Sequence, residues 1–161
     1  MPIELPVVDT CFMCGLVEEM HSHPWVWASD ELTITALNGR QFEVGQSLVI
    51  PRRHAPTLKD LGTDELLAVM QAAQRAAAAL VDAFDPDGVL LYQNNGVGSG
   101  QEVPHFHLHV VPRQPGSDWG FGPPHLAELD RRAGSRKFDY TQDTPDKQAT
   151  AERLRAAVVN A

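Results

Sequence analysis

The chain has 161 residues, 43% of them hydrophobic and 21% charged, which suits one globular domain with its own core and excludes a disordered chain. A net charge of -8 and a pI near 5.2 repel polyanions, which argues against a nucleic-acid polymer as partner but leaves room for a small phosphate-bearing ligand at a local site. No apolar run approaches the roughly 18 residues of a membrane span, and the start MPIELPVVDT lacks a basic segment followed by an apolar core, so a cytoplasmic protein without membrane contact is expected.

In chain order, the first feature is CFMC, with Cys11 and Cys14 at a spacing that suggests metal or redox work before a structural disulfide in a reducing compartment. From Trp25 to Pro51 the pattern is strand-like: TITAL (33–37) and QSLVI (46–50) flank Asn38-Gly39, a favoured turn pair. Apolar residues then recur three and four apart at Leu66, Met70, Ala73, Ala77, Leu80 and Phe84. This predicts the longest helix, starting near Thr63 with Asp64 and Glu65 in its first turn and ending before Pro86. VLLYQNN (89–95) reads as a buried strand and GVGSG (96–100) as a flexible turn, too short for anything but an antiparallel return. A Pro- and Gly-rich stretch from Pro112 to about Thr144, containing Trp119 and His125, is expected to drape over the surface or a partner. Thr144-Pro145 opens a final helix with Ala151, Leu154 and Val158 on one side. Residues 1–161 read as a single domain without internal repeats.

The chemistry concentrates in GQEVPHFHLHVVPR (100–113). If this segment is a strand, His105, His107 and His109 share one face and Phe106, Leu108 and Val110 the other. Three readings compete: a solvated face rich in histidine, a metal site with an open position, or covalent catalysis at phosphorus. In the last, a neutral imidazole attacks phosphate while its neighbours donate hydrogen bonds to the phosphoryl oxygens. Gly96, Gly98 and Gly100 allow close backbone approach to such a group, and Asn94 and Gln101 offer uncharged donors beside it.

Asn94, Gly96, Gly100-Gln101 and the run from His105 to Val111 followed by Pro112-Arg113 resemble the signature of the histidine triad (HIT) family, His-φ-His-φ-His-φ-φ with φ apolar. VGQSLVIPRRH (44–54) is similar to that family's strand leading into Pro-basic-basic-His, and CFMCGLV to the start of its zinc-containing bacterial members. The likeness spans roughly residues 11–113, leaving 114–161 as a variable extension ending in a helix.

The resemblance implies a homodimeric α+β protein with a five-stranded antiparallel sheet, one long helix and a C-terminal helix, and a nucleotide cleft beside the triad. It implies His107 as the nucleophile that forms a nucleotidyl-histidine, His109 and Gln101 as ligands of the phosphate oxygens, and Asn94 and Gly100 around the phosphate. Asn38 matches a ribose-binding position, and Met13, Leu16 and Ala36 match positions lining the nucleoside pocket, where they serve equally as plain core. The implied substrates are purine nucleotides as phosphoramidates, dinucleoside polyphosphates or adenylylated compounds. A histidine at 109, where transferase relatives carry glutamine, favours hydrolysis over nucleotidyl transfer. The alternative is a nucleotide-binding or adaptor protein that keeps the fold without turnover.

Cys11-x-x-Cys14 alone supplies half a tetrahedral site, or a buried thiol pair, or a redox pair. In the zinc-containing relatives the ligand set corresponds to Cys11, Cys14, His54 and His105, which would make zinc structural and occupy the first triad histidine. Two departures stand out. Gly45-Gln46 replaces the family's usual Gly-His, and Glu102 replaces the Ser or Thr that commonly follows Gly-Gln. That carboxylate repels polyphosphate leaving groups and suits amine-bearing ones, or points to solvent. His21 and His23 have no partner in the pattern and are expected at the surface.

Overall fold

The computed structural model describes residues 3–39, 41, 43–115 and 145–159. Among these, five strands form one sheet: β1 (Val26–Ser29), β2 (Thr33–Leu37), β3 (Ser47–Pro51), β4 (Gly88–Tyr92) and β5 (Leu108–Arg113). Their order is β1-β2-β3-β5-β4, and every neighbouring pair is antiparallel. Among the described residues, three α-helices accompany the sheet: α1 (Phe12–Glu18), α2 (Thr63–Phe84) and α3 (Pro145–Val159). This is the expected α+β architecture, with the long helix and the C-terminal helix in place. None of the described helices is long and apolar enough to cross a membrane.

Strand alternation divides the core into two layers. Leu37, Val49, Leu108 and Val110 face α2 and α3. Ile34, Ala36, Leu48 and Ile50 face the opposite way, where Met13 and Leu16 of α1 cover them. The register pairs Leu48 with His109 and His109 with Tyr92, so both rings lie on the α1 face.

Helix α2 begins where the Glu65 carboxylate accepts the Gly62 N–H, and it ends at Asp85 in the left-handed conformation just before Pro86. Its buried stripe is Val69, Ala72, Ala73, Ala76, Ala79, Leu80 and Ala83. The expected stripe is therefore correct in period but rotated: Leu66 and Met70 are exposed, and Ala72, Ala76 and Ala79 take the inner positions. Small side chains let the helix lie close to the sheet, so contact selects the alanine face over the bulkier one. Helix α3 packs Ala151 and Leu154, both fully buried, into the same layer. Full burial of a leucine side chain contributes about 2 kcal/mol. The α3 helix also reaches across to β1, where Arg155 Nη2 donates to the Pro24 and Val26 carbonyls at 3.0 and 2.8 Å.

Other expectations need correction. The seven-residue α1 has no counterpart in the sequence reading. The strand expected over 89–95 stops at Tyr92 and is a half-buried edge; beyond it the Asn94 side chain turns to the Gly100 carbonyl and the Asn95 side chain accepts the Leu58 N–H. Residues 97–99 of the glycine segment form a 3₁₀ turn. The β2–β3 connection is longer than a tight hairpin, and its neck is closed by the Asn38 N–H donating to the Gln46 carbonyl at 2.9 Å. Strand β5 starts only at Leu108, so His105 and His107 precede it: the Phe106 N–H leaves the sheet ladder and donates to the Ala55 carbonyl. Trp119 and His125 lie outside the described residues, as does most of the Pro- and Gly-rich stretch.

Candidate functional site

Two sites meet at the triad. In the first, one ligand atom each from Cys11, Cys14, His54 and His105 lies within 4.8 Å of all the others. A tetrahedral centre with bonds of roughly 2.3 Å to sulfur and 2.0–2.1 Å to nitrogen has S···N edges of about 3.6 Å. The separations here are 3.5 Å for Cys11 Sγ to His105 Nδ1, 3.3 Å for Cys14 Sγ to His54 Nδ1 and 3.6 Å for Cys14 Sγ to His105 Nδ1. The donor set therefore fits zinc in both chemistry and spacing. His105 is completely buried, and its Nε2–H donates to the Pro51 carbonyl at 2.8 Å, which leaves the Nδ1 lone pair facing the two sulfurs. Burial, assisted by His54 and His107, pushes His105 down to about 4, so the ring is neutral as a ligand must be. Burial and the neighbouring Cys11 and Glu18 hold the Cys14 thiol up at about 11.

The second site is built by His107 and His109, whose rings stand edge to face with centroids 5.0 Å apart. His107 Nδ1 lies 2.7 Å from the His105 carbonyl oxygen, which can only accept, so Nδ1 carries the proton and Nε2 presents a lone pair. Burial lowers the proton affinity of His107, offset in part by that bond and by Glu102. Burial also holds His109 well below the ordinary imidazole range, and the adjacent His107 adds to the effect. Both rings are neutral at pH 7.

The other expected residues are dispersed around this pair. Gln101 is buried and engaged on every side: Oε1 accepts the Gly96 N–H at 2.6 Å, and Nε2 donates to the Pro56 and Val103 carbonyls at 2.7 and 2.9 Å. Asn94 Nδ2 reaches the Gly100 carbonyl at 3.5 Å. Gly96 has φ of +84°, and a Cβ there would meet Ile3 Cγ2 at 2.2 Å and the Glu4 carbonyl oxygen at 2.8 Å. Its close approach is thus to the chain's own N-terminal segment, which the Val97 N–H also binds through the Glu4 carbonyl at 2.9 Å. Gly98 faces open space, and Gly100 adopts a left-handed conformation with φ of +85°. Asn38 is half-buried at the mouth of the β2–β3 loop, and Met13 and Leu16 are buried in the α1 layer. His21 is exposed as expected, whereas His23 is half-buried, stacked edge-on against Trp25 and accepting its N–H.

Tyr92 was not singled out by the sequence. Its ring lies parallel to that of His109, with centroids 4.2 Å apart and planes 3° from coplanar, and its hydroxyl joins Gln46 by a side-chain hydrogen bond. Gln46 is completely buried, with Nε2 3.4 Å from His109 Nδ1. Aromatic composition next to a strand end was the only available signal for Tyr92, and it is a weak one.

Comparison with known proteins agrees with this geometry. The HIT domain profile matches residues 26–116. The chain is 34% identical to the protein hit of Bacillus subtilis over 71% of its length and 77% of that relative. It is 31% identical to the bis(5'-adenosyl)-triphosphatase of Dictyostelium discoideum over 56% of its length, spanning 65% of that enzyme. A zinc-bound histidine triad family protein of Mycobacterium smegmatis superposes with a TM-score of 0.73 at 28% identity, covering 94% of each chain. With its triad, its Cys2His2 cluster and this sheet order, the chain belongs to the HIT-domain family.

Proposed function

We propose that this protein binds a nucleotide on the α1 face of the sheet and cleaves it by hydrolysis at the α-phosphorus, with His107 as the nucleophile. The observation that carries the reading is the bond from His107 Nδ1–H to the His105 carbonyl, which leaves Nε2 unprotonated. In the reaction, the Nε2 lone pair forms a bond to phosphorus and the bond to the leaving group breaks. A leaving nitrogen takes up a proton from solvent and a leaving phosphate departs as the anion; a water oxygen then bonds to phosphorus as the bond to Nε2 breaks, and its proton returns to solvent. His109 donates to a phosphoryl oxygen, and Asn94, Gly100 and Gln101 shape the turn around the phosphate. Gln101 contributes a direct bond only by exchanging one of its carbonyl partners. Asn38 takes the ribose, and the apolar layer containing Met13 and Leu16 backs the base. A phosphoramidate, dinucleoside polyphosphate or adenylylated compound supplies the nucleotide; the triphosphatase relative acts on a compound of the second kind. Zinc at Cys11, Cys14, His54 and His105 would be structural, holding His105 and hence the carbonyl that orients His107. We place the protein in the cytoplasm as a homodimer.

A second reading, nucleotide binding without turnover, asks less of the molecule, since membership of the family brings a nucleotide-binding fold and the donors of Gln101 are already engaged. One experiment separates the two. The protein is mixed with adenosine 5'-phosphoramidate, quenched in alkali within milliseconds and analysed by intact mass. The enzyme gives an AMP adduct on His107, and His107→Ala loses roughly 10³-fold or more in kcat while still binding AMP. AMP binding with neither adduct nor turnover establishes the binding module.

A further inference from the structure

Gln46 and Tyr92 stand on either side of His109 without entering the chemistry proposed above. Tyr92 at the end of β4 pairs with His109 of β5, and Gln46 precedes β3 two residues before Leu48, the partner of His109 on its other side, so the three side chains meet on the α1 face. A neutral imidazole has one donor and one acceptor nitrogen. An amide NH₂ directed at Nδ1 makes that nitrogen the acceptor and puts the ring proton on Nε2, the edge left for a ligand. The parallel Tyr92 ring restricts rotation of the imidazole, and the bond from its hydroxyl to Gln46 fixes the amide in turn. All three groups are uncharged, so the arrangement adds no further titrating group to the cleft.

We infer that Gln46 and Tyr92 are positioning residues that hold His109 with Nε2–H aimed at the phosphoryl oxygens of the bound nucleotide. This rests on the function proposed above. Its physical content is a defined tautomer and orientation: a donor aligned before the charge develops needs no reorganisation when phosphorus is attacked.

The test uses ¹⁵N-labelled full-length protein and long-range ¹H–¹⁵N correlation of the histidine rings, with His109→Asn to assign the signal. The wild type is expected to show His109 protonated at Nε2 and bare at Nδ1. Gln46→Met keeps the side-chain volume but removes the amide. It should populate the Nδ1–H tautomer and lower kcat for adenosine 5'-phosphoramidate by about 10- to 100-fold, with KM changed less than about threefold. Tyr92→Leu removes the stack and should broaden or shift the same ring signals with a comparable kcat loss. Circular dichroism and AMP binding verify that each variant is folded. A wild-type ring protonated at Nδ1 overturns the inference, as do variants that keep both the tautomer and kcat of the wild type. The ring spectrum needs no turnover, so a wild type that is inactive but shows the Nε2–H tautomer refutes the proposed hydrolysis and retains the positioning of His109.

Discussion

At the scale of single residues, Gln101 illustrates how a residue of the family motif can carry stability. Its side chain closes the Gly96 N–H and the Pro56 and Val103 carbonyls at once. Gln101→Ala is therefore expected to destabilise the protein by about 2–4 kcal/mol in urea unfolding, through backbone groups left without partners. A loss below about 0.5 kcal/mol would mean that the side chain serves the ligand alone. The residue types at the site were legible because imidazoles and cysteines at fixed spacings have few uses. Their partners were not: the bond from Gln101 to Pro56 spans 45 positions, and the Tyr92–His109 stack depends on a register set across a long loop. For the same reason Gln46 was visible only as a missing histidine, while its contact with His109 required the fold.

Among the elements, α1 is the one most dependent on its surroundings. Seven residues are too few for a helix to persist alone in water, and this one is flanked by Cys11 and contains Cys14. Its attachment is the buried pair Met13 and Leu16 together with the Cys2His2 cluster. Purified protein should contain one zinc per chain by elemental analysis. Stripping the metal with a strong chelator, or substituting Cys14→Ser, should lower Tm by about 5–15 °C, since the domain retains its other core layer. A metal-free preparation with the Tm of the Cys14→Ser variant unchanged would remove zinc from the account. The two long helices were legible from periodicity, although the rotation of the α2 stripe was not, because hydrophobicity ranks Met70 above Ala76 and close packing reverses that order. An extended run before a strand alternates as a strand does, which is why the start of β5 could not be placed from residues 105–107.

For the molecule as a whole, the exposed apolar side chains bear on assembly. Leu67 and Met70 on α2 are 59% and 56% exposed, and Leu91 on the edge strand β4 is 41% exposed. Large exposed apolar side chains on one helix, and on a strand at the sheet edge among the described residues, suit a twofold contact between identical chains. Sedimentation should give twice the chain mass, and Leu67→Glu combined with Met70→Glu should shift it to the monomer with the far-UV spectrum retained. A wild type that sediments as a monomer would refute the dimer. Composition placed the chain correctly among globular domains, but assembly depends on which apolar residues the fold leaves outside, and that cannot be read from a linear pattern.

The two-layered core has a consequence for the protein's capacity to change. The alanine-lined layer beneath α2 and α3 bears most of the apolar burial, while both histidine sites occupy the other side of the sheet. Substitutions in the alanine-lined layer can therefore alter heat resistance with little interference at the histidine sites.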